Sequence, residues 1–402
     1  MARVTRGSPN PLRAGVVGFG WMGRVHAAAY RRVHHHYPSL GRRVELVAVA
    51  DEQPGALDDA AARHDGVRTC RDWHELVAAP DVDVVSVTAP NWLHREIGEA
   101  VAGAGKHLWI EKPVGLSAGD AAAVARAAGA AGVQGVVGFN YRHAPAVAHA
   151  RRLVADGDIG RVTTARVCFA TDYAASPDGV LSWRFRRERG GNGVLGDLAS
   201  HAVDLVRYLL AGEVTGLVAR TGITVPRRPL GDGGSHYARA AAGAPTGDVE
   251  NPDWVVALLE VSGGAVVQLE ASRVAVGRQN AYGFELEGTR GRLGWDFRRP
   301  GELLVGGSPT GELLDAHETR LLAGPGHGEY AAFQPGAGIA LGYDDLKVVE
   351  AAGLLARIVG EPGPQVAGLE DAVRSAEVLD AVERSARDQQ WVPVPTMQES
   401  LR

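Results

Sequence analysis

Gly18-Phe19-Gly20-Trp21-Met22-Gly23 decides the fold. The run before it, Leu12-Arg13-Ala14-Gly15-Val16-Val17, is short and apolar and reads as a strand. Arg24 to Tyr30 follows and reads as a helix. A strand, a glycine turn and a helix in that order open a dinucleotide-binding unit. Gly18 permits the tight turn, Gly20 lets the backbone approach a pyrophosphate, and Gly23 lets helix and strand pack closely. The helix N-terminus then offers free N–H groups and its dipole to the phosphates. Phe19, Trp21 and Met22 complete the expected cofactor loop.

Working outward, Val44 to Ala50 is a second strand, closed by Asp51. A carboxylate there can accept both ribose hydroxyls and would repel a 2′-phosphate. Glu52, Gln53 and Pro54 follow, with no Arg. The expected cofactor is therefore NAD rather than NADP. His34-His35-His36 lies between the helix and this strand. Three consecutive residues cannot face one way on a regular element, so the tract reads as a solvated loop and no metal is expected.

The alternation continues. Asp72 to Ala79 reads as a helix, Val82 to Val87 as a strand, Leu93 to Ala104 as a helix and Lys106 to Ile110 as a strand. Ala118 to Ala131 and Val133 to Gly138 repeat the pattern. Strands alternating with helices mean a parallel, doubly wound sheet. The strand Lys106 to Ile110 ends in Glu111-Lys112-Pro113, and strand ends are where such sheets present chemistry. The chain holds 42 Lys plus Arg, of which only Lys106, Lys112 and Lys347 are Lys. Lys has a compact three-donor head and a pKa that burial can tune. Lys112 at its strand end reads as functional; Lys106 and Lys347 read as chance survivors.

A chain of 402 residues suits two or three domains. It is 45% hydrophobic and 22% charged, with a net charge of -5, which points to no nucleic-acid or membrane partner. Met1 to Arg13 is polar and no signal-like apolar core follows. No run is long enough to span a bilayer. Cys70 and Cys168 are the only cysteines, so no disulfide framework is implied. A cytoplasmic enzyme is expected.

Four features resemble the glucose-fructose oxidoreductase/inositol dehydrogenase (Gfo/Idh/MocA) family. They are the glycine turn, Thr88-Ala89-Pro90-Asn91-Trp92-Leu93-His94, Ala104-Gly105-Lys106-His107 with Glu111-Lys112-Pro113, and Gly138-Phe139-Asn140-Tyr141-Arg142. The resemblance implies a Rossmann α/β domain over residues 1–138. It implies an α+β substrate-binding and oligomerisation domain over 139–402, with an open, mainly antiparallel sheet and a C-terminal segment packing back on the first domain. It implies that Lys112 touches substrate and nicotinamide together, and that its bond to Pro113 is cis. Thr88, Pro90, Asn91, His94, Glu111 and Asn140 are implied at the cofactor, and Arg142 at the substrate.

Gly190-Gly191-Asn192-Gly193 breaks the chain, and Val194 to Leu210 reads as one helix. Leu198, Ala202, Leu205 and Leu209 make its apolar stripe. Asp197, His201, Asp204 and Tyr208 make a second stripe beside it. By themselves these residues fit a site lining and an Asp–His pair that only steadies the helix. The family pattern of a glycine-rich segment, Asp, three residues and His matches Asp197 and His201. The resemblance thus implies a catalytic group of Lys112, Asp197 and His201. Ala199 stands where the family usually has Gly, and Asn192 interrupts a run of glycines. The chemistry suits such a group. Oxidising a secondary alcohol needs a base near pKa 7, which histidine supplies untuned. A lysine can hydrogen-bond the same oxygen. Trp183 and Arg184 precede the glycines; Trp183 suits a sugar ring and a core position equally.

In the last half, Val162 to Thr171, Trp254 to Val261, Ala265 to Val274, Tyr282 to Glu287, Leu293 to Phe297, Leu303 to Val305 and Leu313 to Leu322 read as strands joined by tight turns, hence an antiparallel sheet. Pro226 to Pro252 shows no clear period and reads as a long excursion or lid. Asp344 to Val359 and Leu369 to Arg387 read as amphipathic helices. Gly326 to Pro335 resembles a segment of the family's sugar-oxidising branch, which implies His327 and Tyr330 as substrate contacts.

The expectation is an NAD-dependent oxidoreductase acting on a secondary hydroxyl of a hexose, anhydro-hexose or inositol-like cyclitol. Two rivals share the fold: a redox-neutral glycoside cleavage or epimerisation using NAD, and a non-catalytic sugar or NAD sensor. An open sheet needs one face covered, so a homodimer or homotetramer is expected.

Overall fold

The computed structural model describes residues 10–231, 238–241, 243–308 and 315–395. They form two compact units. The first takes the described residues up to Gly115, with Gly119–His143 and Leu341–Val373; the second takes Leu116–Ala118, Ala144–Ala340 and the described residues from Arg374.

The first unit is a doubly wound parallel sheet. Its strands are β1 (Leu12–Val17), β2 (Val44–Ala50), β3 (Arg68–Cys70), β4 (Val84–Val87), β5 (His107–Ile110) and β6 (Gly135–Val137), in the order β3-β2-β1-β4-β5-β6. Every pairing is parallel. The winding direction reverses between β1 and β4, and ligands bind such sheets at that point. β4 is buried at every position, as crossovers on both faces require. The helix after the glycine turn runs from Trp21 to His36, which corrects the loop expected at His34-His35-His36. Val25, Ala29 and Val33 repeat every four residues and are all buried, and after Gly23 no Gly or Pro interrupts before Pro38. The helix therefore carries the three histidines through its last turn.

The second unit is built on β7 (Val162–Ala170), β8 (Val214–Gly222), β9 (Arg227–Pro229), β10 (Thr246–Asp248), β11 (Trp254–Val261), β12 (Ala265–Ser272), β13 (Ala281–Gly288), β14 (Gly291–Asp296), β15 (Glu302–Gly307), β16 (His317–Leu322) and β17 (Val392–Pro393). Nine of these make one sheet, ordered β16-β15-β14-β13-β7-β12-β11-β8-β17. Only the β7–β12 pairing is parallel. β9 and β10 pair as a small antiparallel ribbon, so part of the excursion expected over 226–252 is regular; residues 232–237 and 242 of that stretch lie outside the described residues, as do 313 and 314 of the last strand expected. From Val255 on, β11 alternates strictly between buried and exposed residues.

The expected helix over Val194 to Leu210 is two elements. Leu195–Ala199 is a π turn and Ser200–Leu210 is α-helical. The side-chain oxygen of Asn192 accepts the Gly196 N–H at 2.9 Å, and the Ser200 hydroxyl donates to the Gly196 carbonyl at 2.7 Å. These bonds hold the wider turn open. π turns inside helices recur at functional sites, and this one contains Asp197.

Candidate functional site: a nucleotide cradle and an Asp–His turn

The cradle of the first unit lies at the carboxyl ends of four adjacent strands, β2, β1, β4 and β5. Gly18 has φ +86°, and a Cβ there would stand 2.7 Å from the Ala89 nitrogen. A Cβ on Gly23 would stand 2.2 Å from the Gly18 carbonyl oxygen. Neither position tolerates a side chain. Gly20 differs: a Cβ there meets nothing within 4 Å, so this backbone faces open space. The helix it caps has no acidic residue in its first turn and no side-chain cap. Those N–H groups thus await an external acceptor, which a pyrophosphate supplies. The Thr88 hydroxyl donates to the Gly18 carbonyl at 2.5 Å and pins the turn from β4. The Asp51 carboxylate accepts from Phe19 N–H at 2.7 Å and from Gln53 N–H at 2.8 Å. Its remaining lone pairs suit two ribose hydroxyls. The residues present fit a dinucleotide.

The rest of the expected cofactor set divides. Thr88, Pro90 and Asn91 are half-exposed in the exit loop of β4. Trp21 is 61% exposed and stacks on Tyr343 at 5.3 Å, while Tyr343 O–H reaches the Met22 sulfur at 3.6 Å. Phe19 points inward and is buried. His94 is a correction: it is buried, with its ring nitrogens each 2.7 Å from a carbonyl oxygen, of Pro113 and of Ala89. It ties two loops of the cradle together and is too enclosed to meet the cofactor itself. Asn140 is fully buried. Arg142 is buried and pairs with Asp371 at 3.0 Å, which commits it to the scaffold.

Lys112 is half-exposed at the end of β5 and its bond to Pro113 is cis. Glu111, expected at the cofactor, is instead buried behind it. Its carboxylate meets His26 at 3.0 Å and Lys347 at 2.5 Å, and accepts the Lys112 N–H at 3.3 Å. His26 continues to Ser86 at 3.1 Å and Ser86 to Tyr30 at 2.9 Å; Lys347 continues to Glu350 at 2.9 Å. Burial alone would push the Glu111 carboxyl up, yet Lys347 and His26 hold it well below the usual carboxylate range. Burial pushes Glu350 up to about 7 and His26 down to about 4. Lys347 is thus no chance survivor. It is fully buried and uses its three donors on Glu111, Glu350 and the Gly138 carbonyl. Lys106 is likewise committed, to the Ala79 and Val82 carbonyls at 2.7 and 2.6 Å.

In the second unit Asp197 and His201 sit four residues apart across the π turn. Tyr173 O–H donates to the Asp197 carboxylate at 2.5 Å. Tyr282 O–H donates to the His201 carbonyl at 2.8 Å, and Phe169 flanks the imidazole at 5.9 Å. Trp183 is half-exposed, with the Arg184 guanidinium 4.2 Å from its ring. His327 packs on His149 at 4.2 Å and accepts the Gly324 N–H. Tyr330, expected at the substrate, is 0% exposed. Its hydroxyl donates to the Gly336 carbonyl at 2.6 Å and accepts the Ile339 N–H at 3.0 Å. It folds its own loop and cannot reach a ligand.

Tyr173, Tyr282 and the buried His26–Glu111–Lys347–Glu350 chain were not foreseen. Each joins segments far apart in sequence; only the polar, aromatic exit Thr171-Asp172-Tyr173 after a strand hinted at one of them. Among the described residues no three His, Cys, Asp or Glu side chains group as a metal site, and no helix is long and apolar enough to cross a membrane.

Comparison with known proteins adds the lineage. Residues 12–139 match the model of the oxidoreductase family with an NAD-binding Rossmann fold, and residues 147–294 match the GFO/IDH/MocA C-terminal domain. Levoglucosan dehydrogenase of Pseudarthrobacter phenanthrenivorans is 34% identical over 96% of this chain and 98% of its own. Inositol 2-dehydrogenase of Rhizobium meliloti is 28% identical over 87% of this chain and 97% of its own. A structure of levoglucosan dehydrogenase with NADH and levoglucosan superposes with a TM-score of 0.88 at 31% identity, over 96% of this chain and all of that one. With the glycine turn, Asp51 and both domains in place, this chain belongs to the Gfo/Idh/MocA family of oxidoreductases and takes NAD as its cofactor.

Proposed function

We propose that this protein oxidises a secondary hydroxyl of a sugar or cyclitol, with a hexose, an anhydro-hexose or an inositol as substrate. The observation that carries the reading is the likeness to levoglucosan dehydrogenase over 98% of that relative's length. When bound, NAD would supply the hydride-acceptor chemistry through its nicotinamide ring. His201 takes the hydroxyl proton, since an imidazole is poised for that near neutral pH. Lys112 hydrogen-bonds the same oxygen and favours its alkoxide character. Asp197 orients His201 or holds a neighbouring hydroxyl. Trp183 offers an aromatic face to the ring, and His327 is a further candidate contact.

NAD is proposed to bind better than NADP, on the carboxylate of Asp51. We place the enzyme in the cytoplasm, where free thiols such as Cys70 and Cys168 persist. A homodimer or homotetramer is proposed through the open sheet face, where Val256, Leu258 and Val266 are exposed.

A screen of levoglucosan, free hexoses and inositols for NADH formation tests the reading. NADH appearing in step with one sugar's loss is the expected result. Sugar altered without net NADH would replace it with the redox-neutral reaction, and NAD binding without any turnover would replace it with the sensor.

A further inference from the structure

Tyr173 lies just beyond β7, and the chain on both sides of it is fastened. Thr171 N–H donates to the Ser272 carbonyl at 2.8 Å, Ala174 N–H to the Arg273 carbonyl at 3.0 Å, and Ala275 N–H to the Thr171 carbonyl at 3.0 Å. Arg228 grips the next turn: its guanidinium donates to the Ala174 carbonyl at 2.5 Å and to the Ser176 carbonyl at 2.8 Å. Arg228 is buried, and so is Arg273, which pairs with Asp253 at 2.9 Å. Both guanidiniums lie against the ring of Phe185, at 4.1 and 4.6 Å. A phenol mounted on such a scaffold has little freedom, so its donor is pre-organised. Its partner is the Asp197 carboxylate at 2.5 Å, within the range of a charge-assisted O–H···O⁻ bond.

We propose that Tyr173 is a positioning residue for the acid–base pair: its hydroxyl fixes the Asp197 carboxylate, and through it the geometry in which His201 works. The proposal rests on the reading of Asp197 and His201 given above. Burial and the nearby carboxylate push the phenol's pKa up, so Tyr173 remains a donor throughout the working range and is not itself the base.

The test has two arms. In protein carrying ¹³Cζ-tyrosine, nine resonances are present, and the Tyr173 signal is the one lost in Tyr173→Phe. It should move when Asp197→Asn is introduced. If the phenylalanine variant fails to fold, a single resonance moving between wild type and Asp197→Asn makes the same point. In the kinetic arm, with NAD and levoglucosan or myo-inositol, Tyr173→Phe should lower kcat about tenfold, as for loss of a bond to a charged group. The Michaelis constant for NAD should stay unchanged. The acid limb of the rate profile should move to higher pH, because a carboxylate that loses a donor keeps its proton more readily. Adding Tyr173→Phe to Asp197→Asn should cost little more, since coupled residues are not additive. A tyrosine spectrum indifferent to Asp197→Asn, or a wild-type pH profile in Tyr173→Phe, would overturn the proposal. Wild-type turnover in Asp197→Asn would instead remove the role read for Asp197, while the resonance still reported the contact.

Discussion

In the six-stranded sheet Val84, Val85, Ser86 and Val87 are all buried, whereas in the nine-stranded sheet Val255, Ala257 and Leu259 are buried and Val256, Leu258 and Glu260 between them are exposed. Parallel strands need crossovers, and crossovers cover both faces. Only the strand ends remain for chemistry there, and backbone does much of it: a glycine turn, a helix terminus, one carboxylate. Antiparallel hairpins need no crossover and leave a face bare. The chemistry proposed for that unit rides on a helix packed against β7 and β12, through side chains that a π turn and two tyrosines hold. The first site should therefore fail when a Cβ is added, and the second when a functional group is removed.

The largest effect expected from that contrast is at Gly23. Gly23→Ala forces a Cβ onto the Gly18 carbonyl, so NAD affinity should fall about a hundredfold, with a stability loss of about 2 kcal/mol. Gly20→Ala meets no protein atom. It should leave the melting temperature unchanged and still weaken NAD binding about tenfold, through the closeness of backbone to pyrophosphate. Calorimetry of both variants checks this; wild-type NAD affinity in both would break the contrast.

The buried chain behind Lys112 should appear in the pH dependence of unfolding. Glu350 titrates near 7 in the fold and near 4.5 when unfolded, so its contribution is full below 4.5 and is lost as pH rises through 7. His26 is the reverse, near 4 in the fold against 6.5 unfolded, so its contribution is lost as pH falls through 4. The two slopes oppose each other between 4.5 and 6.5. Glu350→Gln should leave the His26 slope uncovered, and stability should rise with pH across that window by about 1–2 kcal/mol. Denaturant unfolding at several pH values would show it; an unchanged slope would deny that Glu350 titrates there.

Smaller effects are expected at Asp51 and on the open face. Asp51→Asn removes the charge that repels a 2′-phosphate, so preference for NAD over NADP should shrink about tenfold; an unaltered ratio would move discrimination elsewhere. Replacing Val256 and Leu258 by Ser should weaken assembly severalfold by light scattering, since each buries an apolar side chain only if a partner covers it. A wild type that is already monomeric would leave the bare face unexplained by self-association.

Much of this was legible where local rules govern. The glycine turn, Asp51, the alternation of the first domain and the hairpins of the second follow from period and turn chemistry, and the cis bond at Lys112–Pro113 was implied by the family motif. Long-range partners were not legible. Lys347 looked accidental because Glu111 lies 236 residues away. Tyr330 looked like a ligand contact because a sequence cannot show that its hydroxyl is spent on Gly336 and Ile339. The π turn at Asp197 escaped because Ser200 fits a helical pattern as well, and nothing in the glycine break shows that the Asn192 side chain reaches forward to Gly196.

The division of labour itself is tested by measuring NAD affinity and turnover side by side in Lys112→Ala and His201→Ala. The account predicts that NAD binds both variants within about twofold of wild type, because the phosphates rest on Gly18 to Gly23, while turnover falls at least about a hundredfold, the usual worth of acid–base catalysis. Near-normal turnover in both variants, or NAD binding lost along with turnover, would contradict it.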